Sequence, residues 1–329
     1  RRPFGRMGTL IATATVSAQV MAILAEETPR VERVSIDEAF IDITPGRFAP
    51  EDPLLVARRI SDRVAALGVT CSIGVGCNKT VAKIASERDK PFGLTIVRPG
   101  TEQRFLAALP VSAMSGIGRS AEERLRRMRI YTLGELSRAP ESTLAAIFGV
   151  NGERMRQRAL GLEISEVTSL DEEREVKSVS NERTFAKDLT ERGDIEAAIA
   201  LLGESVGRRL RRQGLTGGTL TLKLKYSYGS GRTAQRRLPH PTDDENIFVA
   251  VALELLDNIW QEGMHVRLAG IGMSDFDHQG GIQTDLFCEV DDRGAQSSDR
   301  RELSVAIDAV RDKFGDTALS FGRQSRFND

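Results

Sequence analysis

The chain has 329 residues, of which 40% are hydrophobic and 28% charged, a composition typical of a soluble globular protein with room for two or three domains. Its three cysteines form no CxxC pair, which argues against a disulfide framework and suits a reducing cytosol, and three scattered histidines argue against a histidine-built metal site. No stretch of about 18 apolar residues occurs, so we expect no membrane span and a cytoplasmic location.

The net charge of −1 points to no particular partner, but the distribution of charge is informative. Nine basic residues and no acid lie between Arg208 and Arg237, and four arginines lie between Arg124 and Arg129. A nearly neutral protein whose charges are separated in this way can still present a basic face to a polyanion.

The N-terminal part of the chain alternates between helical and extended patterns. In chain order the pattern predicts a helix over Val16–Leu24, a hairpin over Val31–Ile43, a helix over Leu54–Leu67, a strand over Val69–Val75, a helix over Lys79–Arg88 capped by Asn78, and a strand over Leu94–Val97. Strands that alternate with helices indicate a small α/β layer with helices on one face of the sheet.

The middle of the chain is helical. Residues 102–161 carry helical patterns joined by short turns, and Ser120 with Glu123 and Thr132 with Glu135 have the spacing of capping boxes. Both pairs therefore predict helix starts. The following stretch, 163–177, is polar and acidic, and it predicts a tether between domains.

The C-terminal part predicts a second α/β domain. Its predicted elements are a helix over Ile195–Arg212, a strand over Thr219–Tyr226, a helix over Glu245–Gln261, a strand over Val266–Ser274 and a helix over Glu302–Phe314.

Two adjacent carboxylates, Asp37 and Glu38, interrupt an otherwise apolar extended segment. One interpretation is a hairpin turn exposed to water. The other is a divalent-metal site, because a like-charged pair that leaves water needs a compensating cation, and hard oxygen ligands suit Mg²⁺. The two residues alone leave both interpretations open.

Three lysines follow the predicted strand that ends at Val75. Lys79 and Lys83 are four residues apart and share one face of the helix, whose N-terminus after a strand is a natural anion site. Lys90 precedes a proline, so its backbone should be extended. The alternative is a solvated lysine face with no ligand.

The segment Gly116-Ile117-Gly118-Arg119 leads into the predicted helix at Ser120. A glycine-hydrophobic-glycine turn between helices allows backbone N–H groups to approach a phosphate, because neither glycine has a side chain in the way. The alternative is a plain turn between two helices.

The predicted strand Thr219–Tyr226 alternates leucine with threonine and lysine. The leucines should pack on a helix, which leaves Lys223 and Lys225 on a flat basic face suited to a nucleic-acid backbone. An ordinary solvated sheet face is the alternative.

These motifs, in this order, resemble those of the Y-family, or translesion, DNA polymerases. Ser35–Asp42 resembles the palm motif that carries the second metal-binding aspartate, and Asn78–Gly93 resembles the motif whose last lysine contacts the incoming triphosphate. Leu109–Gly118 is similar to the helix-hairpin-helix of the thumb, and Lys177–Phe185 to the start of the little-finger domain.

The resemblance implies an α/β (α+β) fold with a partial palm over 1–108, a helix-hairpin-helix thumb over 109–162, a linker over 163–177 and a little-finger domain over 178–329. It implies template-directed DNA synthesis by a monomer that binds primer-template DNA, deoxynucleoside triphosphates and two Mg²⁺ ions. Asp37 would ligate metal, Glu38 would lie beside the primer 3′-end, and Lys90 would contact the triphosphate.

The resemblance also implies surfaces for macromolecular partners. The expected DNA contacts are Lys79, Lys83, Gly116, Ile117, Gly118, Arg119, Lys223, Lys225, Arg232 and Arg236. Gln283, Leu286 and Phe287 form a Q-x-x-L-F sequence similar to peptides that bind the sliding clamp. The alternative for these three residues is a strand end that packs into the core.

One part of the family pattern is not identifiable. The family begins with a strand that carries a first metal-binding aspartate, whereas Arg1–Thr15 contains no acid. The chain could be a truncated polymerase, a polymerase-like accessory protein that binds DNA and a clamp without catalysis, or a partner of a polypeptide that supplies the strand. We expect little or no polymerase activity from this chain alone, because Asp37 and Glu38 cannot by themselves organise two metals. A nucleotide cyclase of similar palm architecture is a more distant alternative.

Overall fold

The computed structural model describes residues 6–46, 51–169, 172, 175–276, 293–315 and 318. The chain divides into two compact units, Arg1–Glu173 and Arg174–Asp329, and the division falls inside the stretch predicted as a linker. In the part of the chain that the structure describes, no helix has the length and apolar character needed to cross a membrane.

The first unit begins with an α/β part whose helices and strands follow the predicted order, but its first helix starts ten residues before Val16 and its strands form two separate two-stranded sheets instead of one layer. Its elements are α1 (Arg6–Glu27), β1 (Val31–Arg33), β2 (Ala39–Ile41), α2 (Pro53–Ala66), β3 (Ile73–Val75), α3 (Lys79–Arg88) and β4 (Leu94–Ile96). Strands β1 and β2 form an antiparallel hairpin, and β3 pairs in parallel with β4. The β3 strand is shorter than expected, but α3 has the predicted bounds, and the Asn78 side chain accepts a hydrogen bond from the Val81 N–H at 3.0 Å.

The rest of the first unit is helical, as expected. It contains α4 (Glu102–Ala107), α5 (Arg119–Arg127), α6 (Leu133–Arg138), α7 (Glu141–Phe148) and α8 (Gly152–Leu160), packed around a core of buried leucine side chains. The capping box of Thr132 and Glu135 is confirmed. The predicted cap at Ser120 is wrong: Gly118 is the N-cap of α5, its carbonyl accepts from the Glu122 N–H at 3.0 Å, and Ser120 lies inside the first turn.

The second unit is a four-stranded antiparallel sheet covered by helices. Its elements are β5 (Ser178–Leu189), α9 (Arg192–Gln213), β6 (Gly217–Tyr226), β7 (Gly231–Thr242), α10 (Glu245–Ile259), β8 (Val266–Phe276) and α11 (Arg293–Phe314). The strand order is β5-β8-β6-β7. The sequence pattern missed both edge strands, β5 and β7. Polar side chains dominate both, and β7 contains Pro239 and Pro241, which an edge strand tolerates.

One face of this sheet forms the core of the second unit. Leu220, Leu222 and Leu224 of β6 are fully buried in one cluster with residues of α9 and α10, as the leucine alternation predicts. The opposite face of β6 carries Thr219, Thr221, Lys223 and Lys225, since side chains alternate along a strand. The sheet therefore has one apolar face under helices and one polar face.

Candidate functional site

The carboxylates Asp37 and Glu38 lie in the turn of the β1–β2 hairpin. The N–H groups of Val34 and Ser35 donate to the Glu38 carbonyl at 2.9 and 3.1 Å and close the turn. The Ser35 hydroxyl donates to the Asp37 carboxylate at 2.5 Å, and this hydrogen bond is the main cause that lowers the pKa of Asp37 below its ordinary value. The backbone N–H of Asp37 and then the positive charges of Lys83 and Lys90 lower this pKa further. The aspartate is therefore held in the anionic form that can bind a cation.

Lysines of α3 and of the segment after it interleave with these acids. Lys83 donates to Glu38, and it also donates to Glu87 at 3.1 Å. Lys90 donates to the same Glu87 carboxylate at 2.7 Å. The structure thus brings the carboxylate pair and Lys90 into one neighbourhood. The turn is exposed to water, and the charges of Lys83 and Lys90 lie close enough to act on Asp37. The use of this turn as a divalent-metal site stays a prediction.

Lys79 has a different environment from Lys83. It forms an ion pair with Glu32 of β1 and lies 6.0 Å from the centre of the Phe40 ring. The start of α3 is also occupied from within the chain, because the Asn78 side chain caps the helix and donates to the Gly161 carbonyl at 2.8 Å. The interpretation of this helix start as an open anion site is therefore not supported. A role of Lys79 in DNA binding stays a prediction, as it does for Lys83.

The glycine turn lies directly before α5. Gly116 has φ of +94°, a conformation that favours glycine, and a side-chain carbon added at Gly118 would meet no atom within 4 Å. Ile117 is buried in the helical core, so only its backbone could contact a ligand. Arg119 is 93% exposed and pairs with Glu123 at 3.1 Å. The turn therefore presents backbone, rather than side chains, to its surroundings.

The open face of the second unit forms a shallow groove. Residues paired across antiparallel strands point to the same face, so Thr219, Thr221 and Lys223 share their side with residues of β7 and β8. The groove is lined by Ser178, Ser180, Glu182, Thr221, Lys223, Gln235, Gly270, Gly272 and Ser274. A side-chain carbon at Gly270 would lie 2.6 Å from Glu182, so the glycines keep the floor of the groove at backbone level.

The register of β6 and β7 places the basic residues of the sheet on two faces. Arg232 pairs with Leu224 and Arg236 with Leu220, so both arginines point to the helix-covered side of the sheet, away from Lys223 and Lys225. Arg236 forms an ion pair with Glu254 of α10. Arg232 and Arg236 therefore lie on a different face of the sheet from Lys223 and Lys225.

Arg237 lies on the open face, but the sequence analysis did not include it among the expected DNA contacts. It pairs with Thr219 and its side chain is 84% exposed. Its position would have followed from the alternation of β7, had that strand been recognised. The expected clamp contacts Gln283, Leu286 and Phe287 lie outside the described residues.

Comparisons with known proteins identify the class. A family model described as impB/mucB/samB family matches residues 8–87, and one described as impB/mucB/samB family C-terminal domain matches residues 176–286. The chain belongs to the Y family of DNA polymerases, which confirms the resemblance of its motifs. The relatives it matches are bacterial DNA polymerase IV proteins.

Two of these relatives illustrate the similarity. DNA polymerase IV of Lactococcus lactis subsp. cremoris strain MG1363 is 36% identical over 263 residues, which cover 79% of this chain and 71% of the relative. DNA polymerase IV of Oceanobacillus iheyensis is 32% identical over 308 residues, or 92% of this chain and 71% of the relative. The family is one of translesion DNA-directed DNA polymerases, so the non-catalytic alternative is not favoured.

A solved structure supports the fold. The Y-family DNA polymerase chimera Dbh-Dpo4(243-245)-Dbh matches with a TM-score of 0.66 and 22% identity, over 80% of this chain and 76% of that chain. The predicted mixed α/β class is therefore confirmed. The assignment of individual segments to palm, thumb and little finger stays a prediction.

Proposed function

We propose that this chain contributes to template-directed translesion DNA synthesis, with Asp37 and Glu38 as carboxylates of the nucleotidyl-transfer site. The observation that carries the proposal is that the exposed carboxylate of Asp37 lies close to Lys83 and Lys90, whose positive charges both favour its anionic form. A cation-binding acid beside two lysines is the arrangement that a metal-bound triphosphate requires.

Y-family polymerases use divalent metal ions, and the residues present suit Mg²⁺ as part of its ligand set. Asp37 and Glu38 provide hard oxygen ligands, and Mg²⁺ is commonly held by one or two carboxylates together with water and substrate phosphates. Within the described residues no group of three or more acids, cysteines and histidines could hold a metal, so these two carboxylates would form a partial set. When bound, the ion would supply charge stabilisation to the transferring phosphoryl group.

The lysines have a distinct role in this proposal. Lys90 would bind the triphosphate and neutralise charge on the pyrophosphate that leaves. Lys83 would also bind phosphate oxygens once Glu38 releases its ammonium group and binds the metal cation instead. Both ammonium groups are held on the side of the turn by Glu87, through contacts of 2.7 and 3.1 Å. Charge that develops on phosphate oxygens is stabilised by such cations.

Two further surfaces would bind primer-template DNA. The backbone of Gly116, Ile117 and Gly118 would contact phosphates of the duplex, because no side chain blocks approach at Gly118. The polar open face, with Lys223, Lys225 and Arg237, would follow the DNA backbone without reading bases. Gln283, Leu286 and Phe287 remain the residues through which we propose clamp binding.

The experiment is single-nucleotide primer extension together with duplex binding, both measured on the wild-type chain. Asp37→Ala is compared with Asp62→Ala, a matched change of an exposed aspartate on α2. Any divalent-metal-dependent incorporation by this chain, even at a low rate, should fall at least about 100-fold in Asp37→Ala and stay unchanged in Asp62→Ala, with duplex affinity retained in both variants.

The same assay separates the alternatives. Salt-sensitive duplex binding with no metal-dependent incorporation would support an accessory role and the expectation of low activity from this chain alone. Robust incorporation that survives Asp37→Ala would refute the assignment of the carboxylate pair.

A further inference from the structure

A largely buried arginine lies behind the glycine turn. Arg158 of α8 is 17% exposed, and its guanidinium contacts two other parts of the first unit. Its Nε donates to the Thr80 hydroxyl of α3 at 2.9 Å, and its Nη1 donates to the Ser115 carbonyl at 2.8 Å. The side chain therefore joins α3 to the residue that begins the turn.

A buried acid balances this guanidinium. Glu163 is 8% exposed, and its Oε2 lies 3.5 Å from the Arg158 Nε. It also accepts hydrogen bonds from the Thr80 hydroxyl and, at 3.2 Å, from Arg154. A buried charge needs such a partner, so Arg158, Thr80 and Glu163 form a linked set rather than separate surface contacts. The sequence had assigned Glu163 to a tether, and no local pattern pointed to this set.

The contact with Ser115 has a geometric consequence. The Ser115 carbonyl and the Gly116 N–H belong to one planar trans peptide unit, in which C=O and N–H point in opposite directions. Because Arg158 donates to the carbonyl, the Gly116 N–H points away from the Arg158 guanidinium. A side-chain carbon at Gly116 would lie 3.4 Å from the Arg158 Nη1, so the guanidinium lies directly against the turn.

We propose that Arg158 is a positioning residue: it orients the Ser115–Gly116 peptide for phosphate binding and ties the turn to α3. The inference rests on the proposed binding of duplex DNA by the turn. It predicts that a residue with no contact to DNA governs one of the phosphate contacts.

The test is equilibrium binding of a labelled primer-template duplex at several salt concentrations, with the full chain. Arg158→Ala should weaken binding about tenfold and reduce the slope of log affinity against log salt by about 1, the loss of one phosphate contact. Arg158→Lys keeps a charge beside Glu163 but cannot reach Thr80 and Ser115 together through one amine, so it should weaken binding while it largely preserves the melting temperature.

Arg154→Ala is the matched control, since Arg154 lies on the same helix and contacts Glu163 but not the turn. The duplex affinity of Arg154→Ala should stay within about twofold of wild type, and its salt slope should be unchanged. A loss of affinity equal to that of Arg158→Ala would show that the ion pairs with Glu163 alone matter, and it would overturn the inference. The inference would also be overturned if Arg158→Lys folds and binds the duplex with the affinity and the salt slope of wild type. A wild-type chain that binds no duplex would instead refute the proposed function on which it rests.

Discussion

The division of basic residues between the two faces of the sheet gives the sharpest test of the nucleic-acid surface. Lys225 and Arg237 lie on the open face, and Arg232 and Arg236 lie on the helix side. We expect the double change Lys225→Ala/Arg237→Ala to remove two phosphate contacts, which lowers the log–log salt slope by about 1.8. Between 50 and 200 mM salt, wild type should then lose about tenfold more affinity than this variant.

The matched double change Arg232→Ala/Arg236→Ala removes the same charge from the other face. It breaks the exposed ion pair of Arg236 with Glu254, which contributes at most about 1 kcal/mol to stability, and it should leave the slope unchanged. Fluorescence anisotropy of a labelled duplex measures both slopes. Equal loss of slope in the two variants would refute the face assignment, because net charge rather than position would then control binding.

Four further changes test the first unit. Gly116→Ala places a side chain at φ +94°, which costs about 1–2 kcal/mol of stability and should lower the melting temperature by about 2–8 °C. Gly118→Ala should lower duplex affinity and have a smaller effect on the melting temperature. A larger thermal effect from Gly118→Ala, without a loss of affinity, would contradict the proposed approach of DNA at Gly118. Ser35→Ala removes the main cause of the lowered pKa of Asp37, so the acid limb of metal-dependent incorporation should move to higher pH; an unmoved limb would exclude Asp37 as the titrating group. Glu27→Gln should lower the free energy of unfolding by denaturant by about 1–2 kcal/mol at neutral pH. Contacts with Arg59 lower the pKa of Glu27 in the folded chain. The difference between the two proteins should therefore be present above the ordinary glutamate pKa and disappear as the pH falls through the lower pKa of the folded state.

Local signals in the sequence were sufficient where they agreed with each other. The bounds of α3 followed from the Asn78 cap, the apolar stripe and the strand before it, all within a few residues. Ser120 shows where such signals fail: the serine and Glu123 have capping-box spacing, but the N-cap is Gly118, two residues earlier, and the helix starts at Arg119. A capping motif specifies a preference for a helix start, and the surrounding turn decides which residue occupies it.

Long-range geometry was beyond the sequence pattern. The faces of Arg232 and Arg236 depend on their pairing with Leu224 and Leu220, and a shift of register by one residue would reverse them. Arg158 and Glu163 were equally hidden, because the Thr80 hydroxyl that joins them lies 78 and 83 residues away in the chain. Polar edge strands and buried ion pairs carry little periodicity, so only the fold reveals them.

The ion pairs around the Asp37–Glu38 turn also explain how a nearly neutral chain can be suited to a polyanionic substrate. Lys83 is paired with Glu38 and Glu87, and Lys90 with Glu87. Binding of a metal-bound triphosphate would therefore exchange partners: the carboxylate of Glu38 would turn to the cation, and the ammonium groups would turn to phosphate oxygens. Exposed ion pairs contribute only about 0.2–1 kcal/mol each, so breaking them for this exchange would cost little. Without substrate, the same acids keep the lysines from attracting other anions, which is why a net charge of −1 does not argue against a polymerase.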